Sequence, residues 1–399
     1  MDLSRRGLLA VTSGLFSAAG VPAAAVPVTL PDQASFPFEG VYLDAAFTHP
    51  FGRFAAGATA DYVQRRLKGP QAIGPRGNPR RGAVERFARL INADPADIAV
   101  MPSTQEAENR VAVALGIGPG AGVITDSLHY DASLVLYGEL ARRGAPVAVA
   151  RPKDGRIDLA DIRQLITSET RLISVSLVSS YNGFQYDLAE LCALAHARGV
   201  LVYADIIQAA GAVPVDVKSS GVDFAGCGTY KWLMGDFGTA FLYVRPDRLD
   251  RLKRTDVGWR QVRSQDADPS RAPGAYELAT GAAGLFEVST PAWEALAIVS
   301  ASLDYVQGLG VNAIARHRQP LIDQLQAALP GLGLQPLTPK GSRSPVLAFA
   351  AKDAAKRFDA RLRTAGITIS TYDDRIRLSP SVYNTAQDVE ALIGVLKSV

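Results

Sequence analysis

Between residues 98 and 244, short apolar runs alternate with longer segments of helical periodicity, and this alternation narrows the fold more than any other feature. The runs lie at 98–101, 122–125, 147–150, 172–178, 200–204, 223–226 and 239–244, each too short for a stable helix. The segments between them behave differently: from Leu188 to Arg198 apolar residues recur at helical spacing, and Gly199 supplies the stop. Such a chain lays its strands side by side, mostly parallel, with helices on both faces. The expectation is an α/β protein with a mostly parallel seven-stranded sheet. Sheets of this kind place their sites beyond the carboxyl ends of the strands, so polar residues that directly follow the apolar runs are the first candidates for chemistry.

After Thr290-Pro291 a helical stretch runs through Leu303 and Tyr305; beyond Pro330, runs at 346–350, 367–370 and 376–378 read as strands among helices. This predicts a smaller α+β domain over 300–399, joined by the segment before the main sheet, and a large domain with its N-terminal segment over 27–299. The Gly/Pro-rich stretch from Gly69 to Gly82 reads as a surface loop. Residues 1–26 differ from the rest: Arg5-Arg6 follow Ser4, a small-residue apolar run comes next, and Ala23-Ala24-Ala25 offers a cleavage site. That layout is a twin-arginine export signal, too short and too rich in Gly, Ser and Ala to span a bilayer, and it predicts a soluble periplasmic or otherwise exported protein with no membrane span after cleavage.

The formal charge of +3 is spread thinly, and its densest basic stretch, Arg76, Arg80, Arg81, Arg86 and Arg89, is soon followed by acidic and apolar residues. It reads as a solvated loop and helix face, not a nucleic-acid patch. The two cysteines, Cys192 and Cys227, make no disulfide framework and read as small buried hydrophobes. The four histidines, His49, His129, His196 and His317, lack metal-ligand spacing, so no metal is expected.

The passage from Val202 to Arg245 carries the chemistry. Asp205 ends a strongly apolar run, where a buried carboxylate needs a partner, and Gln208 follows three residues later. Lys231 follows the next run, among Tyr230, Trp232 and glycines, where a desolvated amine becomes a nucleophile for carbonyls. On spacing alone a helix cap and a surface lysine remain open.

The run Asp-x-x-Gln-x-x-Gly-x-x-Pro-Val-Asp-Val from Asp205 to Val217, with Lys231 one strand later and Gly235 after it, resembles the class V aminotransferase superfamily. These are pyridoxal-phosphate enzymes of fold type I, among them cysteine desulfurases, isopenicillin N epimerase and kynureninase. The resemblance implies pyridoxal 5′-phosphate as cofactor, a Schiff base on Lys231, which also moves protons at the substrate's α-carbon, Asp205 against the pyridine nitrogen, and Gln208 on the phenolic oxygen. Thr104 and Gln105, at a polar turn opening into a helix, match the phosphate-binding pair. In Cys227-Gly-Thr-Tyr-Lys231, Tyr230 resembles the kynureninase arrangement, where the tyrosine serves the phosphate. Thr290 matches a residue that reaches the phosphate across a dimer interface, which implies a homodimer with shared sites. Tyr130 fits the ring that stacks on the cofactor, with His129 as the competing candidate. Arg377, in Ile376-Arg377-Leu378-Ser379, matches the arginine that takes the substrate carboxylate, with Arg375 competing.

No cysteine follows Cys227, so the mobile-loop nucleophile of a desulfurase is missing and that activity is not expected. Aminotransferase-like chemistry on an amino-group-bearing exported metabolite is the leading expectation. A lyase, an epimerase, a kynureninase-like hydrolase and a non-catalytic relic of the fold stay open. No dinucleotide-binding glycine pattern or P-loop follows the first run.

Overall fold

The computed structural model describes residues 29–69, 78–263 and 276–397. The leader expected at 1–26 lies outside them, as does Arg76. The strands are β1 (Val41–Tyr42), β2 (Ile98–Met101), β3 (Gly122–Asp126), β4 (Val147–Ala150), β5 (Thr170–Ser176), β6 (Leu201–Asp205), β7 (Phe224–Gly228), β8 (Ala240–Val244), β9 (Gln335–Pro336), β10 (Leu347–Ala350), β11 (Ile367–Thr368), β12 (Ser370–Thr371) and β13 (Arg375–Leu378). The helices are α1 (Arg53–Leu67), α2 (Pro79–Leu90), α3 (Thr104–Ala114), α4 (Asp131–Arg142), α5 (Leu159–Leu165), α6 (Leu188–His196), α7 (Val217–Ser220), α8 (Gly281–Phe286), α9 (Trp293–Leu309), α10 (Val311–Ala328), α11 (Ala354–Thr364) and α12 (Ala386–Lys397).

Seven strands form the main sheet in the order β2-β8-β7-β6-β5-β3-β4. All neighbours are parallel except the two pairs that involve β8, which runs against both β2 and β7. The carboxyl ends of the other six strands therefore share one edge. Buried apolar side chains fill both faces of the sheet, Phe87 of α2 stacking on Phe241 of β8 with ring centres 4.3 Å apart. A fully buried strand needs no polar alternation, which is why these runs read as continuously apolar.

The Gly69–Gly82 stretch departs from the loop expectation at its end, because α2 begins at Pro79 and runs through Gly82. Asn78 caps the helix by accepting the Arg80 N–H at 3.0 Å, and proline is pre-set for the first helical position. The arginines of α2 lie along a helix face and pair with acids: Arg80 with Glu287, Arg81 with Glu85, Arg86 with Asp304.

The second sheet, β12-β13-β10-β9, carries α11 and α12 and a separate apolar core. Its neighbour strand β11 pairs in parallel with β1, so the segment before the main sheet is stitched to this domain. A division at 299/300 falls inside α9, whose Leu296, Val299 and Leu303 pack into the main core. One continuous helix spans the two parts.

Candidate active site

The edge that collects the strand ends is where the candidate residues meet. A cavity of about 200 Å3 is lined there by Ser103, Thr104, Glu108, Tyr130, Asp205 and Lys231, with Gln105 and Tyr230 at its wall. Asp205 is the last residue of β6, 4% exposed, and its Oδ1 accepts the Ile207 N–H at 2.9 Å. Burial pushes its carboxyl up to about 6; Glu108 adds to that rise, while His129, the Ile207 amide and Lys231 oppose it.

Lys231 stands in the loop after β7. Met234 N–H closes a turn on the Lys231 carbonyl at 2.8 Å, Gly235 N–H bonds the Thr229 carbonyl at 2.8 Å, and Ser302 of α9 donates to the Met234 carbonyl at 2.8 Å. The loop is thereby fixed and its amine is turned inward. Lys231 is 7% exposed, and its Nζ lies 5.8 Å from the ring centres of both Tyr130 and Tyr230. Burial pushes the amine down to about 8, with Arg377 acting in the same direction and Asp205 and Asp44 against it. An amine of this basicity is partly neutral at physiological pH, as a carbonyl nucleophile must be.

Thr104 opens α3 behind a Ser103 cap, whose Oγ accepts the Glu106 N–H at 3.0 Å. The first N–H groups of a helix have no intrahelical partner and favour an anion. Thr104 Oγ1 is buried with no hydrogen-bond partner, which marks it as a donor awaiting one. The cradle has no room to spare: a Cβ on Gly228, at the end of β7, would lie 2.8 Å from Thr104 Oγ1 and 2.9 Å from Ile207 Cδ1. A hydroxyl-lined helix start, a strand-end acid and a buried lysine are together the donor set that pyridoxal phosphate requires.

Of the two candidates for the stacking ring, Tyr130 reaches the cavity. It is 43% exposed on the open side, whereas His129 is 2% exposed and committed elsewhere. His129 Nδ1 accepts the Tyr130 N–H at 2.8 Å and meets Ser176 Oγ at 2.8 Å, and Nε2 meets Glu108 at 3.1 Å. Tyr230 stacks on Phe237, centres 4.7 Å apart. Gln208 is buried beside the cavity, its Nε2 donating to the Ala46 carbonyl at 2.9 Å and its Oε1 accepting from Trp232 Nε1 at 2.8 Å.

Arg377, on β13, is 5% exposed and bonds Ser370 Oγ at 2.9 Å, Asp44 Oδ1 at 3.3 Å and the Ser180 carbonyl at 3.3 Å. Its charge is felt at Lys231, and its Nε has no partner. Arg375 lies instead between the rings of Tyr181 and Tyr372, at 4.2 and 3.9 Å, bonded to Asp374. Thr290 does not join these residues. It lines a different cavity, of about 350 Å3, with Met101, Arg110 and Glu287.

Two acids at the site escaped sequence reasoning. Asp44 comes from the N-terminal segment, and burial raises its carboxyl even though Arg377 and Ser370 oppose that shift. Glu108 accepts from Ser133 at 2.5 Å, Tyr137 at 2.7 Å and Ser174 at 2.7 Å. Its place four residues after Thr104, on the same face of α3, was the signal available for it.

A family model, "Aminotransferase class-V", matches residues 80–392. The chain belongs to the class V aminotransferase family. It is similar to "Uncharacterized aminotransferase YcbU" of Bacillus subtilis, 30% identical over 78% of this chain and 81% of the relative. It is also similar to a "Probable cysteine desulfurase" of Methanothermobacter thermautotrophicus, 27% identical over 90% and 94% of the two chains. Its fold matches the apo structure of a cysteine desulfurase from Thermococcus onnurineus NA1 with a TM-score of 0.81 at 22% identity, covering 93% and 98% of the chains. Pyridoxal 5′-phosphate is thus the cofactor of this chain. The exclusion of desulfurase activity drawn from the sequence is not supported by these relatives, since members of this family that bear that name match along nearly the whole chain.

Proposed function

We propose that this class V family member is an aminotransferase-type enzyme acting on a small amino acid or related amine that carries a carboxylate. The convergence of Lys231, Asp205 and the unpartnered Thr104 hydroxyl on one cavity at the strand ends carries this reading. Bound there, pyridoxal phosphate supplies a carbonyl that captures the substrate amine and a ring that takes up negative charge from its α-carbon.

The chain's own groups divide the remaining work. Thr104 and the first N–H groups of α3, with Gln105 and Tyr230 alongside, would hold the phosphate. Asp205 would face the ring nitrogen and keep it protonated, and the ring of Tyr130 would cover one side. Lys231 would carry the cofactor on its buried amine and would move the proton at the substrate's α-carbon. The Arg377 fork would hold the substrate carboxylate.

A second reading, cleavage of a carbon–sulfur bond, follows from the relatives named cysteine desulfurases. Relay of sulfur through a thiol of this chain is disfavoured, because Cys192 and Cys227 are both buried and burial pushes the Cys192 thiol up to about 12 and Cys227 well above its usual value. Export by the twin-arginine route, an exported metabolite as substrate and a homodimer also belong to this proposal. The leader pattern supports the first two, and the place of Thr290 in a cavity other than the one lined by Lys231 supports a role in a partner's site.

The test is purified protein with an amino-acid and secreted-metabolite panel. A yellow protein whose visible band is lost in Lys231→Ala, and which leaves a keto acid and pyridoxamine phosphate, supports the proposal. Sulfide or persulfide release would favour the second reading, and a colourless protein that never takes up cofactor would end both.

A further inference from the structure

A buried chain of three side chains, two of them adjacent in sequence to the cavity residues Ile207 and Lys231, has no part in the steps above. Trp232, next to Lys231 and 1% exposed, donates from Nε1 to Gln208 Oε1 at 2.8 Å. On the other side of the amide, Gln208 Nε2 donates to the Ala46 carbonyl at 2.9 Å. A flipped amide would set N–H against the indole N–H and oxygen against the carbonyl, so one orientation is enforced. Nε2 carries two hydrogens, and one is used here. The backbones at the two ends touch: Gly211 has a φ of +90°, and a Cβ there would lie 2.4 Å from the Trp232 carbonyl oxygen.

The third member is Arg318 of α10, 1% exposed, with its guanidinium carbon 5.4 Å from the centre of the Trp232 ring. Its Nη2 donates to the Ala212 carbonyl at 2.8 Å, while Nε and Nη1 have no partner. Among the described residues it forms no ion pair. A buried cation without an ion-pair partner is costly to keep, and among the described residues the indole face is the one aromatic contact of this cation. Against an indole face the guanidinium gains a cation–π attraction, and by drawing ring density it makes the Nε1–H a stronger donor.

We propose that Trp232 is a positioning residue for the cofactor: it latches the Gln208 amide so that the second Nε2 hydrogen points at the phenolic oxygen, and Arg318 holds the indole in place. This rests on Lys231 as the cofactor's carrier. The consequence is spectroscopic, because an N–H on the phenolic oxygen favours its ionised form, which absorbs at longer wavelength.

The experiment compares holoenzyme spectra of wild type, Trp232→Phe, Gln208→Ala and the double variant at one pH, with apo-protein melting as a control for folding. Phenylalanine keeps the ring packing and removes only the donor. Trp232→Phe should lower the ratio of the long- to the short-wavelength band by about two- to tenfold, the worth of one hydrogen bond. Gln208→Ala should lower it at least as far, and the double variant should match Gln208→Ala. Arg318→Met should shift the ratio in the same direction as Trp232→Phe. An unchanged spectrum in Trp232→Phe beside a changed one in Gln208→Ala would overturn the latch, as would effects that simply add. A wild type without any visible band would overturn the carrier role of Lys231 and the latch together, whereas a yellow wild type confines any failure to the latch.

Discussion

With Lys231 as the proposed carrier, its basicity sets how fast the apo-protein takes up cofactor. An amine attacks an aldehyde only in its neutral form. Burial, reinforced by Arg377, brings the Lys231 pKa from 10.5 to about 8. At pH 7 roughly a tenth of the molecules then carry a free amine, against about one in three thousand at the ordinary value, a gain of about 300-fold. Protein stripped with hydroxylamine and mixed with pyridoxal phosphate in a stopped-flow cell should develop its visible band at a rate that rises about tenfold per pH unit on the acid side and levels off above about 8. The sign of each neighbour's effect follows from its charge. Arg377→Gln removes a like charge and should move the midpoint upward; Asp205→Asn removes an opposite charge and should move it downward. A wild-type rate that still climbs steeply beyond about pH 10, near the ordinary lysine value, would refute the reasoning. So would an Arg377→Gln midpoint that falls.

Three further outcomes follow from the geometry. Arg377→Gln should raise KM for carboxylate substrates about 10- to 100-fold, the worth of a charge-assisted hydrogen bond, while Arg375→Gln, at a side chain held between two tyrosine rings, should change KM little; steady-state kinetics on both variants would decide between them. Gly228→Ala places a methyl 2.8 Å from Thr104 Oγ1 and should weaken cofactor binding by at least about tenfold in equilibrium dialysis, and unchanged affinity would remove Thr104 from the phosphate cradle. Phe87→Ala empties one side of the Phe87–Phe241 stack and should cost about 3–5 kcal/mol in urea unfolding without altering the visible spectrum of the protein that stays folded.

Much of this was legible in the sequence because parallel strands announce themselves. A strand buried on both faces has to be apolar throughout, so the polar residue that ends the run stands out, and Asp205 was found that way. Lys231 and Thr104 follow strands β7 and β2 by the same logic. The antiparallel course of β8 left no such trace, since its burial equals that of its neighbours. Asp44 was invisible for a different reason. It pairs with Arg377 and Ser370 across more than three hundred residues, and no local pattern encodes that meeting. The choice between Tyr130 and His129 also depended on tertiary contacts: Ser176 and Glu108, from β5 and α3, draw the imidazole out of the cavity and leave the phenol in it. At Pro79 the signal was present but masked by the glycines and prolines around it, and the Asn78 cap settles it.

The pairing of β1 with β11, and the bridge from Asp44 to Ser379, tie the segment before the main sheet to residues on its far side in the sequence. A ribosome releases the partners of β1 only after all seven strands of the main sheet, so the nascent chain can complete that sheet while this first strand waits unpaired. The Asp44 contact to Arg377 therefore forms after the main sheet, across a loop of 333 residues. Nascent chains halted before Ile367 would hold all seven strands of the main sheet yet lack the partners of β1 and of Asp44.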